Sequence, residues 1–102
     1  GGLSVVAWDG SAARCRVFAV EAGVAEDPAT GSAALALGAW LVASGLLPGD
    51  GTTAYDVVQG VEMGRPSLLS CVVTAVAGAA AVVTVSGRVV PIATGRIRVP
   101  AP

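Results

Sequence analysis

The chain has 102 residues, of which 54% are hydrophobic and only 13% charged, and its net charge is −1. One domain over residues 1–102 fits that length, and the apolar excess asks for more covering than the chain supplies itself, which predicts a partner domain or a second copy. Histidine and lysine are absent and the six arginines are dispersed, which excludes a Cys/His metal centre, a Ser-His-Asp triad within the chain and a basic nucleic-acid footprint.

Gly1-Gly2 fits removal of an initiator methionine, a remnant of cloning or a cut inside a longer protein. No charged segment followed by an apolar run opens the chain, so no leader is expected and the cytoplasm is the expected compartment. Leu3 to Trp8 reads as a short apolar strand, Asp9-Gly10-Ser11 as a turn, and Arg14 to Val20 as a second strand with Cys15, Val17 and Ala19 on one face. Cys15 and Cys71 lie far apart inside β-branched runs, so buried thiols are expected rather than a disulfide.

The segment Glu26-Asp27-Pro28-Ala29-Thr30-Gly31-Ser32-Ala33 then joins an acidic loop to a helix without a single polar side chain, AALALGAWLVA from Ala33 to Ala43. Such a helix has no face suited to water and calls for protein on every side. At 1.5 Å per residue it reaches only about 16 Å, too short for a bilayer, so no membrane span is expected. Its first N–H groups, on Gly31, Ser32 and Ala33, lack intrahelical acceptors and converge on one point, where an anion is expected to bind. Ser44-Gly45 and Pro48-Gly49-Asp50-Gly51 stop the helix, with Leu46 and Leu47 closing the core.

Five further strands are expected: Tyr55 to Gln59, Ser67 to Val76, Ala81 to Ser86, Val89 to Ala93 and Ile97 to Val99. The two longest runs are joined by Ala77-Gly78-Ala79. Arg96 and Arg98 alternate along the last of these as a solvated face. Glu62 and Arg65 are placed to pair with each other in the turn before Pro66, and Trp40 and Met63 are expected in the core. Together these elements predict an α+β fold, a strongly curved, mostly antiparallel sheet or barrel wrapped around one buried central helix, with the ligand at the mouth where the helix starts.

Arg16-Val17-Phe18-Ala19, the EDPATGSA segment, Leu37-Gly38-Ala39-Trp40-Leu41, and Gln59-Gly60-Val61-Glu62-Met63-Gly64-Arg65-Pro66-Ser67 follow one another as in the C-terminal domain of the PhzF-like phenazine-biosynthesis proteins. The chain resembles that family from Leu3 to about Val99. The resemblance implies the diaminopimelate-epimerase-like fold, in which two similar domains enclose an active site in the cleft between them. It implies cofactor-independent isomerase chemistry, with a glutamate of the N-terminal domain moving a proton on a small carboxylate-bearing substrate and a histidine nearby. The type activity isomerises trans-2,3-dihydro-3-hydroxyanthranilate.

This chain looks like one half of such a protein, without the glutamate segment. By position, Asp27 matches the family's active-site aspartate and Gly31 and Ser32 the residues that bind substrate at the helix start. Ala33 completes the set of amides. Thr30 belongs to the same segment but reads equally as a cap or turn residue, and Asp27 as a helix cap before Pro28. A carboxylate facing several N–H donors gains charge-assisted hydrogen bonds, and Asp27 beside it is suited to hold or relay a proton. Cys15 and Cys71 lie outside the helix-start motif, so two-thiol proton exchange is not expected. Two functions follow: the substrate-binding half of an isomerase completed by an N-terminal half, or a non-catalytic, self-associating module that binds small anions.

Overall fold

The computed structural model describes residues 2–102, so that of the Gly1-Gly2 pair Gly1 lies outside the described residues. Strand β1 (Leu3–Trp8) pairs antiparallel with β2 (Ala12–Ala19) in the register Leu3↔Phe18 to Trp8↔Ala13. The turn between them is built by Asp9, whose Oδ1 accepts from the N–H groups of Ser11 (2.9 Å) and Ala12 (2.8 Å). Those two donors hold the Asp9 carboxyl below its ordinary range.

After a short 3-10 turn (Val20–Ala22), a strand not expected from the sequence follows, β3 (Val24–Asp27), which pairs with β2 through Val17↔Asp27 and Ala19↔Val24. Its four residues, VAED, carry no alternating pattern, and its place is held by the Arg16–Glu26 ion pair, Nη2 to Oε1 at 2.9 Å and Nε to Oε2 at 3.1 Å.

Helix α1 (Gly31–Ala43) carries the chain across to β4 (Gly51–Gln59), which lies parallel to β2 with Ala12↔Asp56 to Cys15↔Gln59. β4 starts well before Tyr55, the expected first residue. β5 (Ser67–Val76) and β6 (Ala79–Ser86) complete an antiparallel run. The turn Ala77-Gly78 has positive φ at both residues, 52° and 81°, as a two-residue hairpin turn needs. Ala77 is held in that costly conformation by donating its N–H to Asp50 Oδ1 (2.9 Å), while Gly78 donates to the Gly49 carbonyl (2.9 Å).

The sheet order is β1-β2-β4-β5-β6, with β3 beside β2, and the sheet is not closed. It is therefore a mixed, mostly antiparallel open sheet carrying one helix. The expected enclosure of α1 is corrected accordingly. α1 packs on β5 and β6 and buries Ala34, Leu37, Gly38, Leu41 and Val42, but Ser32, Ala36, Ala39, Trp40 and Ala43 are exposed. Trp40, expected in the core, is 53% exposed, and Met63 is also exposed.

The expected strands Val89–Ala93 and Ile97–Val99 are likewise not formed. Residues 87–102 have no regular secondary structure, and Val89, Val90, Ile92, Ile97 and Val99 face solvent. β propensity becomes a strand only where an edge accepts the ladder, and Gly87, Pro91 and Gly95 interrupt this stretch. Arg96 and Arg98 thus lie on an exposed irregular tail rather than on a strand.

The core sits between α1 and the facing side chains of β2, β4 and β5, among them Ala13, Leu41, Tyr55, Val57, Cys71 and Val73. Tyr55 is its central cross-link. Its hydroxyl donates to the Ala34 carbonyl of α1 at 2.6 Å and lies against the Gly38 backbone. A Cβ at residue 38 would collide with the Tyr55 hydroxyl, so only glycine lets the ring reach the helix. Cys15 and Cys71 are buried and free, as expected. Desolvation pushes both thiols above their ordinary value.

Candidate functional site

Asp27 ends β3, half-buried, three residues before the residue that caps α1. The cap is Thr30, in an extended conformation that delivers its carbonyl to the Ala34 N–H at 3.1 Å, the first intrahelical bond. The N–H groups of Gly31, Ser32 and Ala33 come ahead of that bond and therefore lie outside the helical ladder. Thr30 makes no side-chain cap to them. Its hydroxyl donates instead to Asp27 Oδ2 at 2.6 Å, and Asp27 Oδ1 accepts from the Ala29 N–H at 3.3 Å. Asp27 is thus not the helix cap, and Thr30 is engaged with Asp27 while Ser32 stands exposed at the helix start.

The sequence reading missed the residue that ties this segment down. Gln59, at the end of β4, is 1% exposed, the one buried polar or charged residue among those described. Its Nε2 donates to the Asp27 carbonyl at 2.7 Å and to Thr30 Oγ1 at 2.9 Å. Gly60 follows with φ +82°, and a Cβ there would collide with the Arg65 carbonyl and lie 2.9 Å from the Pro28 carbonyl. The EDPATGSA and QGVEMGRPS segments, far apart in sequence, are therefore one structural unit. The sequence carried no local signal for this role of Gln59, since a glutamine at a strand end does not show where its amide reaches.

The rest of that unit is a compact turn, with Met63 and Arg65 donating their N–H groups to the Gly60 carbonyl at 3.2 and 2.9 Å. Glu62 pairs with Arg14 of β2 at 3.0 Å and not, as expected, with Arg65, so the acidic side chain fastens the turn to the sheet. Glu62 is held below the ordinary carboxylate value by its own backbone N–H and, against some desolvation, by Arg14. The Arg14–Glu62 pair, with its arginine exposed, contributes little to stability, whereas Arg16 holds the largely buried Glu26 through two hydrogen bonds.

Two concavities border the unit. A groove of ≈ 380 Å³ runs along the open side of α1, lined by Val6, Cys15, Val17, Ala33, Trp40 and Gln59. A wider one of ≈ 620 Å³ lies between Ala29, Pro66, Ser67, Ser70, Ser86 and Arg88. Of the residues expected to bind substrate, Ala33 alone lines either of them, while Asp27, Thr30, Gly31 and Ser32 stand at the surface between strand and helix. Among the described residues no group of three or more His, Cys, Asp or Glu could hold a metal ion. No helix of the described residues is long and apolar enough to cross a membrane.

The chain is 40% identical over 72 residues to an uncharacterized isomerase, mll1393, of Mesorhizobium japonicum, a match covering 71% of this chain and 24% of that protein. It is 38% identical over 76 residues to the uncharacterized isomerase YddE of Escherichia coli K12 and, equally, to YddE of Salmonella typhimurium, covering 74% of this chain and 26% of each relative. The matched stretch thus spans about a quarter of these curated relatives. The family model described as phenazine biosynthesis-like protein matches residues 4–95. With its two paired motifs locked together around Gln59 and Gly60, the chain belongs to the PhzC-PhzF family of phenazine biosynthesis-like proteins.

Proposed function

We propose that this chain is the substrate-binding part of a cofactor-independent isomerase that moves a proton on a small carboxylate-bearing molecule, the acid/base glutamate coming from another part of the protein or from a partner chain. The observation that carries the reading is the start of α1. There Ser32 is exposed, the first three amides precede the helical ladder, and Thr30, which would ordinarily cap them, is turned to Asp27. An anionic carboxylate is the ligand class such donors favour. The Ser32 hydroxyl adds a donor, and Asp27 supplies a carboxylate at the same place for proton transfer. Gly31 and Ala33 contribute backbone N–H groups, and Thr30 acts through Asp27.

The matched stretch covers about a quarter of each relative, so the rest of an enzyme of that length is expected to come from another part of the protein or from a partner chain. The exposed side of α1, with Trp40 beside Val6 and Val17, supports a second reading, a non-catalytic small-anion-binding module that associates with its own copies.

Native mass spectrometry of the untagged protein from its source separates the two. A longer polypeptide or an equimolar companion chain, with deuterium entering a small carboxylic acid during turnover in D2O, supports the isomerase. An oligomer of this chain alone, with no deuterium incorporation, supports the binding module.

A further inference from the structure

We propose that Gln59 is the positioning residue of this site: its carboxamide fixes the direction of the Thr30 hydroxyl and, through it, of the Asp27 carboxylate. The inference rests on the reading of Asp27 as a proton-handling group, but its geometry stands independently of that reading.

The donor and acceptor inventory leaves one arrangement. The Asp27 carbonyl oxygen can only accept, and it lies 2.7 Å from Gln59 Nε2. Rotating the amide by half a turn would set Gln59 Oε1 against that oxygen, acceptor facing acceptor, so the amide orientation is fixed. A carboxamide nitrogen carries two hydrogens and accepts none. One goes to the Asp27 carbonyl and the other to Thr30 Oγ1, 2.9 Å away. Thr30 Oγ1 therefore acts towards Gln59 as an acceptor, and its own single proton points elsewhere. The carboxylate oxygen Oδ2 of Asp27, at 2.6 Å, takes it. The polarity of the chain Gln59 to Thr30 to Asp27 is thereby set at its buried end.

Two consequences follow. Asp27 Oδ2 is committed to accepting from Thr30, which leaves Oδ1, facing the Ala29 N–H at a longer 3.3 Å, as the oxygen with more freedom to exchange a proton. Thr30, meanwhile, is kept from the capping role its residue type favours, even though it occupies the capping position. Local sequence rules alone would have turned that hydroxyl back onto the helix, so the buried glutamine redirects it.

The test uses the full chain in solution by NMR, reading the Asp27 side-chain rotamer through its three-bond couplings to Cγ and the Thr30 hydroxyl proton through its exchange with water. Wild type is expected to show one Asp27 rotamer and a slowly exchanging Thr30 hydroxyl. Gln59→Met, which keeps the length of the side chain without its donors, is expected to average the Asp27 couplings and lose the protected hydroxyl. Because Gln59 is buried, Thr30→Val serves as a second variant with the same expected loss of the Asp27 rotamer, and Thr30→Ser is expected to restore it. Unchanged Asp27 couplings in a folded Gln59→Met or Thr30→Val chain would overturn the proposal. If the couplings average as expected while Asp27→Asn leaves turnover of the completed enzyme intact, Gln59 stands as the positioning residue and the proton-transfer reading of Asp27 fails.

Discussion

Gly60 lies so close beneath Pro28 that a Cβ on residue 60 would sit 2.9 Å from the Pro28 carbonyl oxygen, besides colliding with the carbonyl of Arg65. Backbone packed against backbone cannot yield as a side-chain tip can. The contact explains why the turn after β4 and the segment before α1 occur together, since each forms the wall of the other. Gly60→Ala adds a Cβ at a left-handed φ, which costs about 1–2 kcal/mol before the collision is counted. The variant is therefore expected to melt roughly 8 °C or more below wild type, read by calorimetry.

Tyr55 and Gly38 form a second pair of this kind. Tyr55→Phe removes the bond to the Ala34 carbonyl, and a loss of about 1–2 kcal/mol in urea unfolding is expected. Gly38→Ala forces a methyl group against the phenol and is expected to cost about 1–3 kcal/mol. The double variant should lose less than the sum by at least ~0.5 kcal/mol, because the Phe ring gives back the space the hydroxyl held.

At the helix start, Ser32→Ala is expected to weaken binding of a small carboxylate by about 1–2 kcal/mol in calorimetric titration. Asp27→Asn in the completed enzyme is expected to lower kcat more than it raises KM, as measured by initial rates over a range of substrate concentrations. A rise in KM alone would make Asp27 a binding residue.

The thiols give a pH dependence with a definite sign. Burial raises Cys15 and Cys71 above the ordinary thiol value of 9.0, so the fold favours the neutral thiol. Their contribution is complete below that unfolded value and is lost as the pH rises through the folded ones. Stability measured by urea unfolding is expected to fall above about pH 9 in wild type and to fall less in a Cys15→Ala, Cys71→Ala variant. At pH 8 both thiols should resist iodoacetamide until the chain is unfolded.

Much of this arrangement was legible from the sequence, because the hairpin, the helix and the β5–β6 pair are set by local signals. Asp9-Gly10-Ser11 and Ala77-Gly78 dictate their turns, and the apolar run fixes the helix. What escaped was set by contacts remote in sequence. β3 exists through its pairing with β2 and the Arg16–Glu26 pair, and Glu62 found Arg14 rather than its neighbour Arg65. Val89 to Val99 has the residues of strands but pairs with neither edge of the open sheet, and the wholly apolar α1 is covered on one side only. At the candidate site, the position of Asp27, Thr30 and Ser32 around the helix start was legible in the sequence. Gln59 was not, because a glutamine on a strand gives no local sign of where its amide ends.

The most direct test of the helix start as a carboxylate site is an NMR titration of the full chain with anthranilate, following backbone amide resonances. Saturable shifts at Gly31, Ser32 and Ala33, reduced in Ser32→Ala, are the predicted result. Shifts confined to the groove around Val6, Val17 and Trp40, or no saturable shift at the helix start, would contradict it.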